Sequence, residues 1–111
     1  MIHFVGAGPG APDLITLRGA KLLGEAGMII YAGSLVNKEL LALAKPGCAI
    51  YDSASMTLDE VVEKFREAEE SGVDTVRLHT GDPSIYGAIR EQMDRLEALG
   101  MTNETSVSVL N

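Results

Sequence analysis

The stretch that decides the fold is GAGPGAPD, residues 6 to 13, which directly follows the short apolar run IHFV at residues 2 to 5. It contains three glycines, two prolines and one acid, at a point where a β-strand is predicted to end. Glycines at such a point permit positive φ angles and let a ligand approach the main chain closely. The stretch therefore indicates a ligand-binding loop or, as the simpler alternative, a strand-to-helix turn that binds nothing.

Strands and helices alternate along the rest of the chain. The predicted strands span residues 2–7, 28–33, 49–51, 74–79 and 106–110. The predicted helices span residues 16–27, 37–47, 57–72 and 84–100. Strands separated by helices form right-handed βαβ crossovers, so we predict an α/β fold with a mainly parallel, five-stranded sheet flanked by helices.

Local signals define several helix ends. Thr57 and Glu60 form a capping box, and Gly72 is predicted to end that helix. Thr16 is the predicted N-cap of the first helix, and Gly27 its predicted end. Two helices carry an apolar face for the core, formed by Leu58, Val61, Val62, Phe65 and Ala68 on one and by Ile85, Ile89, Met93 and Leu96 on the other.

Three loops of small residues begin where predicted strands end. They are GAGPG at residues 6–10, YAGS at residues 31–34 and TGDPS at residues 80–84. In parallel sheets ligands bind beyond the carboxyl ends of the strands. We therefore treat the three loops as one candidate site at one edge of the sheet.

A dinucleotide site is the first alternative for the glycine stretch, because residues 6–11 match the pattern G-x-G-x-x-G/A. That site needs a helix whose free N–H groups point at the pyrophosphate, and here Pro9 and Pro12 each remove a donor. It also needs an acid at the end of the second strand, where the sequence reads YAGS. Both features argue against a nicotinamide or flavin cofactor.

The stretch TGDPSIYG, residues 80–87, has two interpretations. Asp82 or Ser84 can simply cap the following helix, which is worth about 1 kcal/mol. Alternatively, Asp82 and the main chain at Gly81 bind a nucleoside-like ligand, with Pro83 fixing the direction of the turn. The residues by themselves favour neither.

Composition excludes several classes of protein. The net charge is −7, and the excess lies in residues 57–111, which carry twelve acidic and five basic side chains. Such a chain repels phosphate backbones, so a nucleic-acid partner is not expected. The single cysteine, Cys48, excludes an internal disulfide and reads as a buried, inert thiol. We find no clustered metal ligands, signal peptide or membrane span, and expect a cytoplasmic protein.

The stretches HFVGAGPGAPDLITLRGAKLLGEAGMIIYAGSLV and RLHTGDPSIYGAIREQM closely resemble the tetrapyrrole methylases, the S-adenosylmethionine-dependent enzymes of cobalamin and sirohaem synthesis. The paired GAGPG and GDPSIYG, about seventy residues apart, carry the resemblance, which covers residues 1 to about 100. YAGSLV and HTGDPSIYGAI are most similar to the branch that methylates precorrin-4 at C11, whereas the sirohaem branch has YDRLV at the first of these places.

The resemblance implies a homodimeric, two-domain enzyme with S-adenosylmethionine bound between the domains and an open trough for precorrin-4 or cobalt-precorrin-4. The implied cofactor residues are Pro9, Thr80, Gly81, Asp82 and Ile85. The implied trough residues are Gly6, Gly8, Gly10 and Ser34. The expected reaction is in-line displacement of the sulfonium methyl group by a ring carbon.

Three features depart from the family pattern. The family loop usually reads GAGPGD, whereas this chain has Ala11. The sirohaem branch offers an acid as proton acceptor where this chain has Ala32, so we name no catalytic residue. The family continues into PGVS and a second domain, whereas this chain reads MTNETSVSVLN. We therefore expect residues 1–111 to be the first domain alone, with little or no methyl transfer in isolation. A non-catalytic binding or dimerisation module is the alternative.

Overall fold

The structure, a computed structural model, describes residues 1–7, 17–31, 38–80, 86–100 and 103–106. The strands are β1 (Ile2–Ala7), β2 (Met28–Tyr31), β3 (Ala49–Asp52), β4 (Thr75–Thr80) and β5 (Asn103–Ser106). The helices are α1 (Leu17–Glu25), α2 (Leu58–Ser71) and α3 (Tyr86–Ala98), with two 3-10 helices at Lys38–Leu43 and Ser53–Ser55.

The strands form one sheet in the order β3-β2-β4-β1-β5, and each described pairing is parallel. β1 and β4 lie side by side, with Ile2 opposite Thr75 and Ala7 opposite Thr80. β2 flanks β4 on one side, and β5 flanks β1 on the other. The predicted fold class, α/β with a mainly parallel sheet, is confirmed.

Apolar side chains cover both faces of the sheet, as expected for parallel strands with helices on either side. One layer packs the sheet against α2 and α3 through Ile2, Phe4, Met28, Ile30, Val61, Phe65, Ala68, Ile89 and Leu96. The other packs it against α1 and the first 3-10 helix through Val5, Leu23, Ala26, Ile29, Leu40, Val76 and Leu78. The rings of Phe4 and Phe65 meet edge-on, with centroids 6.1 Å apart.

The α2 helix follows its sequence signals. Thr57 accepts from the amide of Glu60, the Glu60 side chain accepts from the amide of Thr57, and Gly72 closes the helix at φ 76°. Of the predicted apolar face, Leu58 is half-buried and the other four residues are buried. The opposite face is exposed and acidic, with Arg66 paired to Glu63 and Glu70.

The predicted helix at residues 37–47 is wrong in type and length, because the structure has a 3-10 helix at Lys38–Leu43. Pro46 has no N–H to donate to the carbonyl of Ala42, and its ring would clash with that carbonyl in an α-helix. Among the described side chains of this segment, that of Leu40 is the one that is buried. Packing against the core therefore does little to stabilise a longer helix.

The predicted fifth strand, residues 106–110, begins earlier in the structure. The observed β5 is Asn103–Ser106, which pairs with Ile2–Val5 of β1, and residues 107–111 lie outside the described part of the chain. The valines of SVSVL favour a strand locally. In the structure, however, pairing with β1 begins at Asn103, which lies opposite Ile2.

The sequence predicts that Gly27 ends α1, but the structure gives a different reason for a glycine at this position. The helix ends at Glu25, and the positive φ angles among the described glycines are at Gly47, Gly72 and Gly100. A Cβ on Gly27 would lie 2.7 Å from the Cβ of Val73, while the Gly27 amide donates to the carbonyl of Asp74 at 2.8 Å. Glycine therefore lets the segment before β2 pass close to the segment before β4.

We predict that Gly27→Ala lowers the free energy of unfolding by about 1–3 kcal/mol, because the added methyl group overpacks against Val73. Gly24→Ala is the matched control. Gly24 lies inside α1, and its Cβ would make only an ordinary contact, 3.5 Å from the Leu43 carbonyl oxygen. This variant should gain about 0.5–1 kcal/mol. Urea denaturation measures both, and a Gly27→Ala variant as stable as the wild type would contradict the packing account.

Candidate functional site

Three parallel strands end at one edge of the sheet. β1 ends at Ala7 and β4 at Thr80, and these residues are directly opposite each other. β2 ends at Tyr31, opposite Leu78 of β4. Adjacent strands lie about 4.8 Å apart, so the segments that follow these ends start close together. The loops GAGPG, YAGS and TGDPS therefore leave from the carboxyl edge of neighbouring strands, as the sequence predicted.

Two of the predicted site residues fall in the described part of the chain. Gly6 is buried near the end of β1, opposite His79, and Thr80 is the last residue of β4. Both lie at the expected edge. The remaining predicted site residues, Gly8, Pro9, Gly10, Ser34, Gly81, Asp82 and Ile85, lie outside the described residues. Their roles stay predictions.

The described edge suits a ligand that is bound by main-chain groups. β1 ends with Gly6 and Ala7, and β4 ends with Thr80, so the ends of the central strands carry small residues. Small residues leave the backbone N–H and C=O groups of a strand end approachable.

Neighbouring groups brace the end of β2. The Ser53 hydroxyl donates to the carbonyl of Tyr31 at 3.1 Å. The Asp52 carboxylate, at the end of β3, accepts from the amide of Ala54 at 2.9 Å and so caps the second 3-10 helix. Asp52 is thus engaged in local structure. β2 itself ends in Tyr31 rather than in the acid that a dinucleotide ribose would need.

Sequence reasoning missed one buried charge beneath this edge. Arg77 lies in β4, is 2% exposed, and donates from Nε to Gln92 Oε1 at 3.0 Å and from Nη1 to the carbonyl of Ile30 at 3.4 Å. Burial lowers the pKa of Arg77 to about 10, against the opposing charge of Asp52, so the guanidinium stays protonated at neutral pH. Its position between Val76 and Leu78 was the available signal, because an arginine inside a central apolar strand must face a covered layer.

Cys48 lies away from the candidate site. It precedes β3, at the amino end of the sheet, and its half-buried thiol lies 3.6 Å from the carbonyl oxygen of Ala49. Burial raises the pKa of the Cys48 thiol, and Lys45 opposes this only partly. The thiol is thus half-buried rather than buried as predicted, and its raised pKa disfavours the reactive thiolate.

Two kinds of feature are absent from the described residues. No group of three or more His, Cys, Asp or Glu side chains among them is arranged to hold a metal ion. None of the helices in this part of the chain is long and apolar enough to span a bilayer.

The architecture and the paired glycine loops define a class of protein. The family model of the tetrapyrrole (corrin/porphyrin) methylases matches residues 1–107. The chain belongs to this family, which confirms the resemblance found in the sequence.

Individual relatives support a particular branch. The chain is 55% identical over 103 residues to a cobalt-precorrin-4 C(11)-methyltransferase from Methanocaldococcus jannaschii, covering 93% of this chain and 40% of the relative. It is 50% identical over 100 residues to a precorrin-4 C(11)-methyltransferase from a Sinorhizobium species, covering 90% of this chain and 40% of the relative. The chain thus spans about 40% of the length of these curated relatives.

Two solved structures of methyltransferases also match this chain. The structure of a cobalt precorrin-4 methyltransferase matches with a TM-score of 0.86 and 46% identity, over 94% of this chain and 44% of that one. A uroporphyrin-III C-methyltransferase from Thermus thermophilus, complexed with S-adenosylhomocysteine, matches with a TM-score of 0.76 and 34% identity, over 95% of this chain and 43% of that one.

Proposed function

We propose that residues 1–111 are the N-terminal domain of an S-adenosylmethionine-dependent methyltransferase that acts at C11 of precorrin-4 or cobalt-precorrin-4 in cobalamin synthesis. The observation that carries the proposal is the pairing of Ala7 with Thr80, since it brings the two family loops to one edge of the sheet. The names of the relatives support the substrate.

In this proposal two sets of residues share the edge. Pro9, Thr80, Gly81, Asp82 and Ile85 hold the cofactor, and Gly6, Gly8, Gly10 and Ser34 line the trough for the macrocycle. Bound S-adenosylmethionine supplies an electrophilic methyl group on its sulfonium sulfur. The Asp82 carboxylate would accept hydrogen bonds from hydroxyl groups of the nucleoside, and backbone groups of the glycine loops would fix its orientation.

Positioning is the main contribution of such a site. Holding two reactants in attack geometry can remove roughly 7–11 kcal/mol of barrier without any acid or base. A site of glycines, main-chain groups and one carboxylate suits this kind of catalysis. We assign no catalytic base, because this chain has Ala32 where the sirohaem branch has an acid.

The rest of the cleft would come from a second domain. This chain spans about 40% of its curated relatives, and in the proposal their remaining length completes the cofactor site. The chain alone should therefore bind cofactor weakly and transfer little or no methyl. We also propose a homodimer, as the family resemblance implies, and a cytoplasmic location. A non-catalytic module of the same fold is not favoured, because the named relatives are methyltransferases.

Calorimetry with S-adenosylhomocysteine tests the cofactor assignment. The wild-type chain should bind, and Asp82→Ala should weaken binding at least tenfold, because a carboxylate hydrogen bond to a ligand hydroxyl is worth about 1.5–3 kcal/mol. Asp74→Ala is the matched control: Asp74 immediately precedes β4 at the opposite edge, and the described contact of its side chain is an exposed ion pair with the N-terminus, at 3.6 Å. The hydrogen bonds that its main-chain carbonyl accepts from Gly27 and Met28 are retained by alanine. It should leave the affinity unchanged.

Two results would contradict the assignment. Absence of binding at millimolar S-adenosylhomocysteine would leave the non-catalytic module as the better account. Binding of NADH in the same experiment would restore the dinucleotide alternative.

A chimera tests the reaction itself. We would replace the segment of the Methanocaldococcus jannaschii relative that matches this chain with the corresponding residues of this chain. The chimera should transfer a methyl group from S-adenosylmethionine to cobalt-precorrin-4, as measured by a 14-dalton mass increase of the macrocycle. Its Asp82→Ala form should be at least tenfold slower at subsaturating cofactor, since the substitution removes a cofactor contact. A folded chimera that binds cofactor without methylating the substrate would contradict the substrate assignment.

A further inference from the structure

The buried charge of Arg77 has no place in the proposed chemistry. It lies in the central strand β4 and is 2% exposed, although burying a guanidinium is costly unless it is paired and hydrogen-bonded. Its described hydrogen-bond partners are neutral, namely the Gln92 side chain and the Ile30 carbonyl, and the nearby Asp52 carboxylate offsets only part of the cost of burial. An apolar residue of similar size would fill this place at a lower cost in desolvation. Unlike such a residue, Arg77 makes hydrogen bonds that connect separate elements of the fold.

Arg77 and its partner Gln92 lie on either side of one site loop, residues 81–85. Arg77 is three residues before Thr80, where β4 ends, and Gln92 lies two turns into α3, which begins at Tyr86. The Arg77–Gln92 hydrogen bond thus links the strand before residues 81–85 to the helix after them. Gln92 is itself 4% exposed, so water does not compete for the bond.

The second bond of Arg77 reaches another strand of the site. Its Nη1 donates to the carbonyl of Ile30, the residue before Tyr31, where β2 ends. One side chain therefore connects β4, α3 and β2 below the edge at which the loops begin. Direct binding of substrate by Arg77 does not fit, since its side chain is enclosed in the layer between the sheet and α3.

We propose that Arg77 is a positioning residue, which through Gln92 links the two ends of residues 81–85, and through Ile30 links them to β2, in the arrangement that binds the cofactor. The link to the cofactor rests on the proposed function, whereas the effect of Arg77 on residues 81–85 does not. Asp82 lies within this segment, so a change in the spacing of its two ends would move its carboxylate away from the ligand.

The test is a double substitution, Arg77→Met with Gln92→Met. Replacing both partners of a buried hydrogen bond by apolar groups of similar shape is close to neutral for stability. The variant should therefore unfold within a few degrees of the wild type while its site loop is no longer held. Gln92→Met alone is the second variant, should the double substitution fail to fold. Gln92→Glu retains an acceptor for Arg77 and should preserve the wild-type behaviour.

Leu96→Ala is the matched control on the same helix. Leu96 is fully buried in the layer between the sheet, α2 and α3 and takes no part in the Arg77 bonds. Truncating it should lower the melting temperature markedly through the cavity it leaves. It should not alter residues 81–85, so it separates a general loss of stability from a loss of positioning.

The primary measurement is the backbone order parameter of residues 81, 82 and 84–86, obtained by NMR relaxation on the whole chain without ligand. The double variant should lower these values by about 0.2 or more, on a scale where rigid backbone gives about 0.85 and flexible backbone less than 0.6. Gln92→Glu and Leu96→Ala should leave them at the wild-type level. Equal order parameters in the wild type and the double variant would overturn the proposal.

The second measurement is the affinity for S-adenosylhomocysteine, which should fall at least tenfold in the double variant and stay unchanged in Leu96→Ala at a temperature where that variant is folded. A wild-type chain that binds no ligand would refute the proposed function, while the order parameters still decide the role of Arg77. Unchanged affinity in a folded double variant would overturn that role.

Discussion

The parallel pairing of β1 with β4 is the constraint on which the rest of the structure depends. These strands are neighbours near the middle of the sheet, and apolar layers cover both of their faces. A shift of one residue in this register would exchange Phe4 and Val5 between the two layers. The fit of the core therefore fixes the register, and the register places Ala7 opposite Thr80. Two loops distant in sequence leave the sheet side by side for this reason.

This arrangement also explains the composition of the site. In the proposed site, a ligand at the carboxyl edge would meet the ends of β1 and β4, which carry the small residues Gly6, Ala7 and Thr80. Such an edge would bind and orient a ligand but offer little acid–base chemistry. The affinity of such an edge for a ligand depends on how rigidly the strand ends are positioned. The bonds of Arg77 to Gln92 and Ile30 connect the elements beneath it.

The sequence predicted the features that short-range chemistry determines. The capping box of α2, its end at Gly72 and the convergence of strand ends follow from residue types at fixed spacings. The features that differ from the prediction depend on packing between distant segments. Gly27 is required by its close approach to Val73, and the position of β5 is given by its pairing with β1. The short 3-10 helix before Pro46 is an intermediate case. The proline in the sequence marks the end of a helix, but it does not show that the preceding turns adopt 3-10 geometry. The contacts of Arg77 depend on tertiary structure, and only its position in an apolar strand was visible beforehand.

The central claim is that the ligand binds across the carboxyl ends of β1 and β4. An NMR titration of the nitrogen-15-labelled chain with S-adenosylhomocysteine measures this most directly, because each amide reports its own surroundings. Our account predicts that amide shifts at the non-proline residues of 6–10 and 79–86 change together, with one dissociation constant, while those of Ile2 and Thr75 at the opposite edge stay fixed. Shifts confined to one of the two loops, or centred on the opposite edge, would contradict it.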